Sequence, residues 1–380
     1  MSTFRVPVES ITVEPHPNAD ALEIATIQGY QSLVRKGAFR TGDLVAYIPE
    51  ASILPPALIE EMGLVGKLAG SESNRVKAIR LRGTVSQGLC YPAREGWIEG
   101  QDVAAELGVT KWEPMQPAVE SDEPRARRQP NRTHIYPNTF VAGANRAISY
   151  DIEAYKAHAK RGILQEGEPV TYTEKIHGSW VSFGLMPPHL THPEYGDFLV
   201  SSKGLSQRGL ALKPEESANT WYWRAAREFE VEAKLRKFAA NNLALPIPVF
   251  VIGEVFGQGV QDLDYGQPLT FRAFDVFVGN PNPDAPEGER GNYLGDDGID
   301  LALGLMEIER VPVLYRGPWT MQTMRDFTDG KETISGVAKH IREGIVVRPV
   351  DERTHPAVGR VIFKSVSADY LLRKNGTEYQ

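Results

Sequence analysis

Between residues 113 and 137 the chain carries Pro114, Pro117, Pro124, Pro130 and Pro137, with no apolar periodicity among them. Proline has no N–H to lend to a ladder and its ring clashes with the preceding helical turn. No regular element is therefore expected to run through this stretch. The chain is expected to divide into a first unit at 1–112, a linker at 113–137 and a second unit at 138–380. Two folded units suit 380 residues at roughly 100–200 residues per domain. The same stretch holds Arg125, Arg127, Arg128 and Arg132. A solvated tether accounts for them, and a phosphate-contacting arm is the sharper reading.

Composition narrows the classes of function. With 41% apolar residues both units can bury a core, and 24% charged residues is ordinary for a globular chain. No apolar run approaches the ~18 residues that span a bilayer. Residues 1–15 lack the basic-then-apolar order of a secretory signal. Cys90 is the sole cysteine, which excludes an internal disulfide framework and a Cys-rich zinc site; a cytoplasmic, reducing compartment is expected. The net charge of −7 confines any nucleic-acid contact to a local basic surface on an acidic body, and it disfavours a membrane-surface role.

The first unit reads as short strands at 24–27, 32–34 and 44–48, punctuated by Gly29, Gly37 and Gly42. At 76–81, Lys77, Arg80 and Arg82 alternate with Val76, Ile79 and Leu81, which predicts a strand with one positive face. The second unit reads as α+β. Helices are predicted near 150–161 and 216–240, the latter with Trp221, Ala225 and Phe229 on one stripe and Leu235 and Phe238 continuing inward. Strands are predicted at 170–174, 249–254, 270–278, 344–348 and 360–364, and a surface loop at 280–298.

Chemistry concentrates at the ends of those strands. Thr173-Glu174-Lys175-Ile176-His177-Gly178-Ser179 places a lysine at a strand end, with a glycine three residues on that would let a phosphate approach the backbone. Alone this means little. With 35 glycines in 380 residues, about one lysine in eleven has glycine at +3 by chance, as Lys67-Leu68-Ala69-Gly70 does. The residues that follow decide. Gly253-Glu254-Val255-Phe256-Gly257, Phe274-Asp275, Glu343-Gly344-Ile345-Val346-Val347-Arg348 and Phe363-Lys364 each set a charge beside an apolar run. Such placement is costly unless the charge pairs or serves a site.

In this order the motifs resemble those of the covalent nucleotidyltransferase superfamily, in the form used by ATP-dependent RNA ligases. The resemblance covers about residue 150 to the C-terminus. It implies an adenylyltransferase (ATP-grasp-like ligase) domain of antiparallel sheets flanked by helices. It further implies that Lys175 is the nucleophile that carries AMP, with Glu174, Ile176 and Gly178 around the nucleotide. Glu254 would bind the ribose or help hold a metal, Phe274 would stack on adenine, and Glu343 would hold Mg²⁺ or Mn²⁺. Lys364 would contact the α-phosphate. Lys203, in Ser201-Ser202-Lys203-Gly204, matches the family's early basic position, with Arg208 as a competitor. Two departures stand out: relatives often have arginine where Lys203 lies, and a second lysine where Val366 lies, so Lys364 would act alone or with Lys374.

The first unit resembles the OB-type β-barrel that some RNA ligases carry at their N-terminus. The stretches are Pro15-His16-Pro17-Asn18-Ala19-Asp20, Gly42-Asp43-Leu44-Val45-Ala46-Tyr47-Ile48-Pro49 and Ile79-Arg80-Leu81-Arg82-Gly83-Thr84-Val85-Ser86-Gln87-Gly88-Leu89. His16 and Asp20 read as turn residues rather than metal ligands. Lys77, Arg80 and Arg82 are the expected phosphate contacts. The implied substrates are ATP and RNA ends or a nicked RNA-containing duplex, with RNA repair as the setting and no membrane or obligate protein partner. The competing readings are a DNA ligase or capping-type enzyme, and a non-catalytic RNA-binding protein. The former normally continue into a C-terminal OB domain, whereas 16 residues follow Lys364 here. The latter would not need Lys175, Glu254, Glu343 and Lys364 together.

Overall fold

The computed structural model describes residues 4–112, 138–242 and 247–373. The proposed linker with its arginines, and Lys374, lie outside them.

In the N-terminal unit, strands Val8–Ser10, Leu44–Ile48 and Leu89–Pro92 form one antiparallel sheet, and Thr12–Pro15, Leu22–Ile27 and Tyr30–Arg35 another. Side chains alternate faces along a strand, so Leu44–Ile48 serves two cores. Val45 and Tyr47 pack with Ile11, Ile27 and Val34, whereas Ala46 and Ile48 pack with Val8, Leu54, Leu58 and Trp97. The predicted strands at 24–27, 32–34 and 44–48 all fall within these elements.

The predicted strand at 76–81 is shorter, covering only Ile79–Leu81 and pairing with Thr84–Ser86. Val76 is buried and its N–H donates to the Ser52 carbonyl at 2.9 Å, which ties it to the body of the unit. Arg82 and Gly83 take φ of +49° and +89°, the pair of left-handed residues that closes a two-residue hairpin. Lys77 therefore precedes the strand, Arg80 lies within it and Arg82 sits in its turn. The three do not share one strand face.

The second unit is built on two five-stranded sheets. One runs in the order Glu153–Ala154, Phe363–Val366, Gly344–Pro349, Pro169–Lys175, Val313–Pro318. The other runs Phe198–Ser202, Ser179–Leu185, Val249–Phe256, Thr270–Val278, Asn292–Tyr293. Neighbours are antiparallel except Glu153–Ala154, which runs parallel to Phe363–Val366. Helices Trp221–Glu228, Val231–Asn242 and Asp296–Met306 cover the outer face of the second sheet through Leu235, Phe238, Ile299 and Leu303 against Val181, Phe183, Val251 and Phe271. Helix Met321–Thr328 packs Met324 on Tyr172 and Val347 of the first. The faces left over meet each other, and the site lies there.

Four expectations are corrected. The helix at 150–161 is the strand Glu153–Ala154 followed by one 3₁₀ turn, Tyr155–His158. Its backbone is used elsewhere, because Glu153 pairs with Phe363 and the Lys156 carbonyl accepts the Gly29 N–H at 2.8 Å. The helix at 216–240 is two helices, separated where Glu230 takes φ +52°. The loop at 280–298 contains Asn292–Tyr293 and the first turn of Asp296–Met306. The strand at 360–364 divides into Gly359–Arg360 and Phe363–Val366, because the Val361 N–H turns to the Arg353 carbonyl. Among the described residues no helix is long and apolar enough to cross a membrane.

Candidate active site

Lys175 is the last residue of Pro169–Lys175, and its register partner is Gly344. Glu343 thus enters the site immediately beside it, with Oε1 2.6 Å from Lys175 Nζ. Gly344 permits this corner: it has φ +153°, and a side-chain carbon there would overlap the Ser365 carbonyl. Strand Phe363–Val366 lies on the other side of Gly344–Pro349, pairing Lys364 with Val346. The second sheet supplies Glu254, opposite Trp180 in register, and Phe274. Lys203 follows strand Phe198–Ser202 and pairs with Asp151 at 3.2 Å.

These side chains converge on a cavity of about 280 Å³. Lys175, Lys203, Glu254, Glu343 and Lys364 provide its charged lining, together with Glu174 and Arg348, while Ile176, Trp180, Phe274 and Val346 provide apolar walls. Of the sequence-predicted nucleotide residues, all reach this cavity. Gly178 also meets a packing demand: a side-chain carbon there would collide with the Val255 carbonyl, so glycine allows the two strands to close. Arg208 donates instead to the Gly204 carbonyl at 2.9 Å and is not in the lining, so the structure brings in Lys203. Glu174 is buried, and its carboxylate accepts from the Thr333 N–H at 3.0 Å and hydroxyl at 2.6 Å; burial still raises its carboxyl pKa. Lys77, Arg80 and Arg82 stay outside the cavity, and Arg80 pairs with Asp369 at 2.9 Å. His16 Nδ1 accepts the Asn18 N–H at 3.0 Å, a turn role.

The charges here are incompletely compensated. Burial pushes the Glu254 carboxyl up to about 8, with Lys175 opposing and Glu343 reinforcing. Burial also pushes the Lys364 ammonium down to about 8, with Lys203 and Lys175 adding to it. In both groups the main cause is burial of a charged side chain in the cavity wall. Glu343 and Glu254 fit a hard divalent ion in donor type, and the strained ionisation of Glu254 is what such an ion would relieve. Among the described residues no three His, Cys, Asp or Glu side chains form a metal cage. Two carboxylates without a cage suit Mg²⁺-type binding, in which substrate phosphates complete the sphere.

The RNA ligase family model matches residues 168–366, a span that holds Lys175, Lys203, Glu254, Phe274, Glu343 and Lys364. This chain belongs to the RNA ligase family. An OB-fold domain model matches residues 6–93 of the ligase, at its N-terminus. Among solved structures, an apo mutant of Naegleria gruberi RNA ligase superposes with a TM-score of 0.72 at 20% identity, covering 98% of each chain. The same protein with PPi gives 0.71 at 20%, covering 97% of this chain and 98% of that one. A mutant of it with ATP and Mn gives 0.71 at 21%, with 97% and 98% covered. At this identity the likeness is one of fold. No curated protein matches the chain in sequence.

For two groups in this ligase the sequence shows the residue but not its partners. His177 was visible inside the lysine motif, but its partners were not. Its Nε2 lies 2.8 Å from Asp262, its Nδ1 lies 2.7 Å from the Tyr370 hydroxyl, and its backbone N–H donates to the Tyr265 hydroxyl at 2.8 Å. Burial lowers the imidazole pKa, with Glu343 and Asp262 opposing. Arg373 reaches the same Asp262 at 3.1 Å, so helix Ala368–Leu371 is tied down beside Lys175. The second group is Asp275, fully buried and held by Tyr150 at 3.0 Å, Arg348 at 3.3 Å and Arg360 at 2.5 Å. Arg348 also donates to the Phe274 carbonyl at 2.8 Å, which fixes the strand that carries the aromatic ring. Partners 73 to 193 residues apart leave no local pattern to find.

Proposed function

We propose that this ligase joins a 3′-hydroxyl and a 5′-phosphate RNA end at the expense of ATP, through a lysyl–AMP and an adenylylated RNA intermediate. The observation that carries the proposal is Lys175 Nζ 2.6 Å from Glu343, in a cavity that also holds Lys203 and Lys364. Lys175 attacks the α-phosphorus of ATP and pyrophosphate leaves. Glu343 is placed to take up or orient the Lys175 ammonium proton before attack. Lys364 and Lys203 then face the phosphate oxygens, while Phe274 and Trp180 wall the purine. Such transfer depends on positioning and charge neutralisation more than on elaborate acid–base work. Glu343 and Glu254 would hold a divalent cation, which supplies further neutralisation of the phosphates when bound.

The RNA-contacting role falls to the N-terminal OB fold, with Arg80 and Arg82 on its projecting hairpin and Lys77 before it. The domain boundaries follow the same division, 1–112 and 138–380. RNA repair in the cytoplasm is the setting that this chemistry and the single cysteine support. The test is incubation with α-labelled ATP followed by denaturing electrophoresis, with GTP as the comparison. Label from ATP that vanishes in Lys175→Ala supports the reading, and an unlabelled wild-type protein in Mg²⁺ and in Mn²⁺ would sink it.

A further inference from the structure

Lys364 stands in the wall of two cavities. Besides the nucleotide cavity it lines a second, of about 260 Å³, between the OB fold and the catalytic sheet. Val366 and Leu371 are also common to both, so the two meet along strand Phe363–Val366 and helix Ala368–Leu371. The charged lining of the second cavity is Arg75, Lys77, Lys156 and Lys364 against the single acid Glu50. Lys156 is half-buried and donates to Gln87 Oε1 at 2.6 Å, so its hydrogen bond goes to a neutral amide. Burial lowers its ammonium pKa, with Glu50 and Asp329 opposing through space. The Arg75 guanidinium lies 4.0 Å from the centre of the Trp112 ring, and its buried Nε has no hydrogen-bond partner.

A desolvated cation on a neutral partner is costly unless an anion joins it. A flat aromatic beside it is the usual surface for a nucleic-acid base. Adenylyl transfer needs such a site, because a second phosphate must be brought to the AMP phosphorus from outside the nucleotide cavity. We propose that this interdomain cavity receives the 5′-phosphorylated terminal nucleotide of the RNA, with Lys156 on the terminal phosphate and the Arg75–Trp112 pair against the base. The proposal rests on the lysyl–AMP reading above. A terminal phosphate oxygen attacks the AMP phosphorus, and a P–O–P link forms as the P–N bond to Lys175 breaks. The electron pair returns to Lys175 nitrogen, which leaves as the amine and regains a proton. The 5′-phosphate end fits better than the 3′-hydroxyl end, since an anionic phosphate compensates the Lys156 charge and a neutral hydroxyl does not.

The test uses full-length protein in EDTA, so that no transfer occurs, and one RNA oligonucleotide in 5′-phosphate and 5′-hydroxyl forms. Wild-type protein is expected to bind the phosphorylated form about tenfold more tightly or better, the value of one charge-assisted hydrogen bond. Lys156→Gln should bind both forms equally, Lys156→Arg should keep the preference, and Trp112→Leu should weaken both forms alike. Labelling by α-labelled ATP in Mg²⁺ should be unchanged in all three, which also reports their folding. A preference that survives in labelled Lys156→Gln overturns the proposal. So does normal AMP transfer with slowed joining of pre-adenylylated RNA, which would assign the cavity to the 3′-hydroxyl end. If Lys156→Gln takes no label, the question passes to the other two: the proposal is lost if Trp112→Leu binds both forms as wild type does. Failure of wild-type labelling is a separate result and strikes the lysyl–AMP reading instead.

Discussion

Two clusters of buried charge bridge the sheets of the catalytic unit, and they differ in how completely they are neutralised. In one, Asp275 of the second sheet accepts from Arg348 of the first, from Arg360 and from Tyr150. Burial would raise the Asp275 carboxyl, but Arg360 and Arg348 outweigh it and hold it below the usual carboxylate range. In the other, burial wins: Glu254 is pushed up to about 8 and Lys364 down to about 8. Both clusters set carboxylates against basic side chains, and Asp275 and Glu254 lie on neighbouring strands. A closed cluster fastens the sheets together, whereas an open one keeps electrostatic energy in reserve for a ligand.

The largest effect expected in the open cluster is at the nucleophile. Lys175→Ala should lose all covalent label and all sealing of 5′-phosphorylated RNA, while still joining pre-adenylylated RNA at a reduced rate, because the leaving group is already installed. Glu343→Ala should fail in both assays, since phosphate charge must be neutralised in each step. A Lys175→Ala enzyme that still takes label would put the nucleophile elsewhere.

The matching change in the closed cluster should act on stability. Asp275→Asn leaves the buried Arg348 without its counter-charge and Arg360 with Glu352 alone, and a loss of about 3–5 kcal/mol is expected in denaturant unfolding. A loss below about 1 kcal/mol would mean that the cluster is not the fastener between the sheets.

Phe274 belongs to both clusters, its ring in the cavity and its carbonyl on Arg348. Phe274→Ala should weaken ATP use by about 1–3 kcal/mol, the range of base–aromatic stacking. Broad thermal destabilisation without a selective rise in KM for ATP would instead make it a core residue.

A smaller effect is expected from pH. The folded-state pKa of Lys364 lies at about 8, below the ordinary lysine value. Below about 8 both folded and unfolded chains hold the proton and the burial penalty is present in full. Above it the folded protein releases the proton first, so this group makes stability rise with pH until the unfolded lysine also titrates, near about 10.4. Melting curves of wild type and Lys364→Met across that window should diverge, with the rise confined to wild type. Parallel curves would refute the depressed pKa.

The smallest effect is expected at Lys67, whose Nζ donates to the Gly63 carbonyl at 2.7 Å on an exposed turn. Lys67→Ala should label and seal as wild type does, despite its chance spacing to Gly70.

Much of the candidate site was legible because charged residues stand beside apolar runs, a placement that is costly unless the charge pairs or faces a cavity. Lys175 ends its strand and Glu343 precedes one, whereas Glu254, Phe274 and Lys364 lie within strands and line the cavity, and the order of all five along the chain carried the family resemblance. The two-helix break at Glu230 and the short strand at 79–81 were not legible, because each depends on a left-handed backbone residue that is not glycine. The short strand and 3₁₀ turn at 153–158 were misread for another reason, since their backbone partners lie on Phe363 and on Gly29.

The amino-acid sequence alone showed the α+β class and, through the order of its motifs, the RNA ligase family, because these rest on local patterns of apolar and charged side chains. Only the tertiary structure decided which charges are spent on each other and which remain for a ligand. Asp275 and Glu254 look alike along the chain, each a carboxylate beside an apolar run. The difference is that Arg348 of the facing sheet and Arg360 of a separate short strand reach Asp275, whereas Glu254 faces a cavity, and burial without a close cationic partner is a property of three-dimensional neighbours.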